Sequence, residues 1–416
     1  MRRFYRKNSI RLKTRYNASM HDCLSNCRVL DLSRVLAGPL CAMQLADFGA
    51  TVIKVENPDG GDETRHWGPP FNERSGLSAY FETANRGKKS AAINFSKPEG
   101  AKAVRRLAQN ADVLVENYRP GGLKKYGLDY DSIHAINPGL VYCSITGYGQ
   151  TGEWSERPGY DFIIQGESGL MALGGETDGT PAKTGVAVCD VWAGLHASQA
   201  ILAALLRRAN TGKGAHIDIS LFDCAVATLV NVAQSALCAG RRAKRYGNHH
   251  PQIVPYGDFF ASDESFNLAA GNDRQFAAVC AIIGREEWAS DKRFCDNPSR
   301  VKNREELIPM LNAEFGREKA EHWLRLFHRD NVPAGRTLNV YDALNTPHAL
   351  SRGLWKEGEA GKMLSAPARF DGGFCASAES SPRLGSHTAW ALRELGGMSD
   401  DDIESLRRQN IIKEAL

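Results

Sequence analysis

The stretch RVLDLSRVLAGPLCAMQLADFGATVIKVE, residues 28–56, decides the fold. Arg28–Leu32 reads as a short β-strand. Pro39–Phe48 reads as a helix, stopped by Gly49 in the position of a glycine C-cap. Thr51–Glu56 is rich in β-branched residues and reads as a second strand. The alternation then continues. Ala91–Phe95 is a third strand, followed by Ser96 as N-cap and Pro98 early in the next helix. Asp112–Glu116 and Leu140–Thr146 are further strands. Strand–helix–strand repetition of this kind makes a mainly parallel sheet with helices on both faces.

Farther along, Val186–Asp190 reads as a short β run ending on an acid, and Val191–Arg208 as a helix rich in Ala and Leu, ended by Gly212 and Gly214. His216–Leu221 alternates like a strand. Phe222–Ala239 reads as one buried helix, and the longest uncharged apolar-leaning stretch, Cys224–Gly240, overlaps all but its start. Over residues 240–260 the composition shifts to Arg, Lys, Gly, His, Pro and aromatics. The expected organisation is a tail at 1–25 and a large α/β domain at 26–240. A smaller α/β domain at 241–335 and a segment at 336–416 returning to the large domain complete it. The fold class is α/β: a doubly wound parallel-sheet domain built from N- and C-terminal parts, plus the smaller domain. A length of 416 residues fits this division.

The chain holds 52 Lys and Arg against 48 Asp and Glu. Seven of the basic residues (Arg2, Arg3, Arg6, Lys7, Arg11, Lys13, Arg15) lie in an acid-free tail, and without them the balance is 45 against 48, a net of −3. A near-neutral body argues against nucleic acid or an anionic membrane as partner. The tail, Arg-rich and with hydroxyl residues, has the composition of a mitochondrial transit peptide or of a disordered basic arm, and the first of these implies a location in the matrix. The ten Cys are scattered without a Cys-x-x-Cys pair, and no His cluster sits at zinc spacing, so no metal is expected.

The first strand runs into Ser33–Arg34–Val35–Leu36–Ala37–Gly38, not into G-x-G-x-x-G, so a dinucleotide turn is missing. There is no P-loop and no G-x-S-x-G elbow. Glycine turns at Gly121–Gly122, Gly147–Gly149, Gly174–Gly175 and Gly271 allow close approach of backbone amides to a ligand. Asp190, beside a helix N-terminus, suits either a nucleophilic carboxylate or a plain N-cap.

Seven segments together carry a resemblance to the family III CoA-transferases of the CaiB/BaiF type: RVLDLSRVLAGP (28–39), GATVIKVENPDGGDETR (49–65), NRGKKSAAINF (85–95), DVLVENYRPGGL (112–123), AVCDVWAGLHA (187–197), AALLRRANTGKGAHIDISLFD (203–223) and LGSHT (384–388). CSITGYGQTG (143–152) and IVPYGDFF (253–260) are most similar to members that move CoA from succinyl-CoA to glutarate or 3-hydroxy-3-methylglutarate. The resemblance implies Asp190 as the nucleophile. It implies CoA contacts at Val35, Leu36, Ala37, Ile93, Asn94, Phe95, Asn117, Tyr118 and Lys125. Tyr160 falls on the substrate side. Leu36 and Asn57 stand where the member acting on oxalate has Gln and Arg, and that member's tetraglycine loop has no counterpart. An interlocked homodimer is implied, with CoA esters as co-substrates and no resident cofactor.

Two alternatives stand beside this. An α-methylacyl-CoA racemase carries Gly-His-Asp where this chain reads Gly159–Tyr160–Asp161, and a Tyr with a pKa near 10 is a poor proton shuttle near pH 7. A non-catalytic CoA-binding paralogue would have lost Asp190. A dicarboxylate acceptor also needs a cation for its second carboxylate. Arg34 and Arg65 are the leading candidates, with Arg86, Arg245, His249 and His250 behind them. The Gly174–Gly175 turn is the expected source of oxyanion-binding amides.

Overall fold

The computed structural model describes residues 23–358, 360–370, 373–374 and 380–415; the basic tail before residue 23 lies outside them. The chain forms two compact units. The first comprises the described residues up to Leu170, then Thr184–Gln234, then those from His348 onward. The second comprises Met171–Lys183 and Ser235–Pro347. The large unit thus gives up residues 171–183 to the smaller one, an excursion that sequence composition does not mark. The smaller unit also starts before 241 and runs past 335.

The large unit is built on a seven-stranded sheet. Its parallel strands are β1 (Arg28–Asp31), β2 (Thr51–Glu56), β3 (Lys88–Ile93), β4 (Val113–Glu116), β5 (Val141–Thr146) and β6 (Ala215–Ser220). Their order is β3-β2-β1-β4-β5-β6, and a short strand at Ile412–Lys413 pairs antiparallel outside β3. Strand period two sorts the core onto two faces. Val29, Val52, Val113 and Val141 lie side by side and pack with residues of helices Ala37–Asp47 and Val188–Thr211. Leu30, Ile53, Leu114 and Tyr142 face the other way, toward helices Pro98–Gln109 and Thr388–Glu394. The order reverses between β1 and β4, and ligands of such sheets bind beyond the strands' carboxyl ends at that reversal.

The smaller unit carries an antiparallel sheet of β7 (Tyr256–Phe260), β8 (Ser265–Ala269) and β9 (Ala334–Arg336), with helices that include Asp273–Ile282, Arg304–Phe315 and Ala320–Arg329. Its core is aromatic: Phe259, Phe266, Phe276, Phe315 and Phe327 are all buried.

Two sequence expectations change. Val186–Asp190 is not a strand; a helix begins at Val188 and runs to Thr211, with Asp190 in its first turn. Its buried residues Cys189, Ala193, Ala197 and Ile201 recur every four positions, a helical stripe that a short apolar run conceals. The expected Phe222–Ala239 helix breaks at Leu229 into Leu221–Thr228 and Val230–Ala239, and Val230 takes φ +36°.

Candidate active site

The site forms where β1 and β4 diverge. After β1, the backbone of Arg34 is held by a side chain that follows β4: Asn117 Oδ1 accepts the Arg34 N–H at 2.8 Å and Asn117 Nδ2 donates to the Arg34 carbonyl at 2.7 Å. The next residue, Val35, sits at φ +68°, a conformation a β-branched residue rarely adopts. Leu36 then opens the helix Ala37–Asp47 with no side-chain cap.

The nucleophile candidate reaches this loop through helix packing. Gly194, one turn beyond Asp190, lies so close to the first helix that a Cβ there would meet the Ala37 carbonyl oxygen at 2.8 Å. The absence of that Cβ lets the two helices approach and puts Asp190 and Val35–Ala37 on one cavity of about 440 Å³. Arg34, Asn117, Tyr118 and Tyr160 line it as well. A second cavity of about 210 Å³ is lined by Ile93, Asn94 and Phe95 and shares Arg34, Glu63 and Tyr118 with the first. Phe95 meets Tyr118 and Tyr126 edge-on, with ring centroids 6.0 and 5.5 Å away. Lys125 lines neither cavity; it is exposed, its Nζ 4.8 Å from the Tyr126 ring centre.

Asp190 is set apart electrostatically. Burial, and then the neighbouring Asp161 carboxylate, push its pKa up to about 7. Asp161 Oδ1 also accepts the Cys189 N–H at 2.8 Å, so it caps the helix start from outside. The fully buried Gln165 donates to Asp161 Oδ2 at 2.7 Å and accepts the Thr184 N–H at 2.9 Å, which ties down the approach to the helix. Tyr80 feels the same acids: burial, then Asp190 and Asp161, raise its phenol above the usual value. Sequence reading passed over Asp161, although it stands directly after Tyr160 in the Gly159–Tyr160–Asp161 motif.

The cations sort themselves by what already holds them. Arg65 is withdrawn as a substrate ligand. It is buried, with Nε and Nη2 on Glu56 at 2.7 Å each and Nη1 on the Pro382 carbonyl. Arg86 is buried against Asp47. Arg245, in the smaller unit, donates to the carbonyls of Ala172, Glu176 and Gly179. His249 and His250 line a cavity of about 560 Å³ within that unit, and burial lowers both their pKa values. Arg34 differs. Its side chain is 47% exposed and meets Glu63 only at 3.4 Å, a pairing weak enough to exchange for a ligand anion. Arg119 and Arg157, absent from the sequence-derived candidates, also line the Asp190 cavity. The Gly174–Gly175 turn belongs to the smaller unit, and the Gly174 N–H is already donated to the Met171 carbonyl.

This arrangement is an acid of raised pKa in a cleft beside an uncapped helix N-terminus, with an aromatic-floored pocket next to it. The profile of CoA-transferase family III matches residues 24–388. The chain belongs to that family. It is 44% identical over 396 residues to the succinyl-CoA:glutarate CoA-transferase of Mus musculus, covering 94% of this chain and 90% of the relative. It is 42% identical over 388 residues to the succinate–glutarate CoA-transferase of Agrobacterium fabrum, covering 89% and 95%. Among solved structures, a CaiB/BaiF family protein from Brucella suis superposes with a TM-score of 0.80 at 45% identity, covering 89% of this chain and 98% of that one. The protein is thus a CoA-transferase whose co-substrates are CoA thioesters.

Proposed function

We propose that the protein transfers CoA from succinyl-CoA to glutarate or a close dicarboxylate such as 3-hydroxy-3-methylglutarate, with Asp190 as covalent nucleophile. The observation that carries this is the placement of the Asp190 carboxylate on one cavity with the Val35–Ala37 loop and the Asn117–Tyr118 pair. The names of the relatives support the substrate pair.

In this reading the adenine end of CoA occupies the Ile93–Phe95 pocket and the thioester reaches Asp190. An Asp190 oxygen attacks the thioester carbonyl; the C–O bond forms, the C–S bond breaks, and CoA thiolate leaves. The thiolate then attacks the aspartyl carbonyl of the anhydride. That C–S bond forms as succinate departs with the electron pair of the broken C–O bond. Glutarate reverses the sequence: its carboxylate attacks the aspartyl thioester and expels CoA thiolate, and the thiolate then attacks the glutaryl carbonyl of the new anhydride, expelling the Asp190 carboxylate and releasing glutaryl-CoA. The amides at the uncapped start of the Ala37 helix supply positive potential for each oxyanion. Arg34, Arg119 and Arg157 are the cations for the acceptor's distal carboxylate.

Trapping with hydroxylamine or borohydride after mixing with succinyl-CoA, followed by peptide mass analysis, tests the covalent step. Modification of the Asp190 peptide supports it, and unmodified peptide alongside normal CoA binding refutes it. A panel of dicarboxylates with succinyl-CoA ranks the acceptors. We propose also that the chain works as a homodimer in the mitochondrial matrix. Val186, Leu195 and Leu206 leave apolar surface exposed along the nucleophile helix and its approach, which suits a partner subunit. Sedimentation and import assays with and without residues 1–25 test these two points.

A further inference from the structure

We propose that Asp62 is a positioning residue for CoA binding: buried and ion-paired to Lys54, it holds Val35 in its left-handed conformation and thereby fixes the loop that faces Asp190. This rests on the reading of Val35–Ala37 as the CoA-contacting loop.

Asp62 is 1% exposed and its carboxylate gathers donors from three directions. Lys54 Nζ, itself fully buried, stands 2.9 Å away. Thr64 gives its N–H at 3.0 Å and its hydroxyl at 2.8 Å. The Val35 N–H is shared between the two oxygens at 3.2 and 3.3 Å. Lys54 also donates to the Ser33 carbonyl at 2.9 Å, so one buried pair grips the loop before and at the strained residue. Desolvation opposes the Asp62 charge, but Lys54 and the Thr64 donors outweigh it and hold its pKa below the ordinary carboxylate value. The carboxylate is therefore a permanent acceptor at working pH.

The strain needs such a holder. A valine at φ +68° brings its Cβ against the neighbouring backbone. Conformations of this kind persist when the surroundings over-determine them, and they collect at functional sites. Here the carbonyl of Ser33, both backbone groups of Arg34 and the N–H of Val35 are all fixed by side chains from β2, from the segment after β4 and from the turn at Asp62. Relaxed to an ordinary φ, Val35 would swing the Leu36–Ala37 start of the helix relative to Asp190.

The test is a cycle between Asp62→Asn/Lys54→Met and Val35→Gly. The paired change removes both members of the ion pair together, leaving Lys88 as the cation on the buried Asp31, and it leaves one amide oxygen where three donors compete. Glycine adopts positive φ without penalty and needs no holder. In the native loop the paired change should raise KM for succinyl-CoA about tenfold, the equivalent of about 1.4 kcal/mol, with kcat changed less. In the Val35→Gly background the same change should raise it less than about threefold. Equal KM penalties in both backgrounds, or a fall in melting temperature with KM unmoved in either, overturn the proposal. Leu36→Asp guards the underlying reading: if that charge on the loop leaves KM for succinyl-CoA unchanged, the loop does not contact CoA. Should the paired variant not fold, Asp62→Glu serves in the same cycle, judged by the same ratio.

Discussion

Replacing Asp190 by Asn should abolish transfer and, above neutral pH, stabilise the protein. The Asp190 pKa is raised from 3.8 to about 7 in the fold by burial and by Asp161. A folded acid with a raised pKa keeps its proton longer than the unfolded chain does. Its charge therefore weakens the fold increasingly as pH climbs from about 4, and in full above about 7. At 1.36 kcal/mol per pH unit the upper bound on that cost is about 4 kcal/mol at pH 8 and under about 2 kcal/mol at pH 5. Asp190 opens partly onto the cavity, so roughly half of each is the working expectation. Asn carries no charge and bears none of this. With an unfolding entropy of roughly 2 cal/mol/K per residue, each kcal/mol moves the melting temperature of a chain this size by about 1 °C. Asp190→Asn should then melt about 2–4 °C above the native protein at pH 8 and within about 1 °C of it at pH 5. Parallel thermal melts at the two pH values measure this. A variant no more stable at pH 8, or a gain that does not grow with pH, refutes the argument that the fold holds the Asp190 carboxylate against an electrostatic cost.

Other outcomes follow from the same geometry. Because Asp190 must be ionised to attack, kcat/KM for succinyl-CoA should rise with pH through about 7 and level off above; Asp161→Asn removes the like charge and should move the midpoint to lower pH. A pH profile with the same midpoint in both proteins counts against the coupling. Gly194→Ala puts a methyl group against the Ala37 carbonyl and should lower stability by about 1–3 kcal/mol and cut transfer; urea unfolding measures the first. Arg65→Met strands the buried Glu56 carboxylate and should cost about 3–5 kcal/mol in stability, whereas Arg157→Met should instead raise KM for glutarate more than for succinyl-CoA. Equal effects of Arg157→Met on both substrates would remove it from the distal-carboxylate site.

The parallel sheet is legible because each strand announces itself locally. Val29, Leu30, Val52, Ile53 and Val55 need no distant partner to be read as extended, and the intervening helix has its own glycine stop. The start of the helix that carries Asp190 is not legible, because what caps it is Asp161, far back in the chain. The exclusion of Arg65 is equally hidden: its partner Glu56 reads locally as the end of a strand, and nothing local says that the two meet without solvent. The reassignment of residues 171–183 to the smaller unit depends on packing alone. Asp190 itself reads from composition as an ordinary N-cap, and only the family motif around it singles it out.

The strand at Ile412–Lys413 seals the edge of the sheet beside β3, and the Asn94 amide donates to the Ile411 carbonyl at 2.8 Å. The strand that brings Ile93 to the smaller cavity is thus braced by residues synthesised roughly three hundred positions after it. Closing so long a loop is slow compared with forming the local βαβ units. A nascent chain on the ribosome would display Asp190 well before it could grip a coenzyme. Thioesters would find no lodging on half-made protein, and the order of synthesis would itself guard the proposed nucleophile from premature acylation.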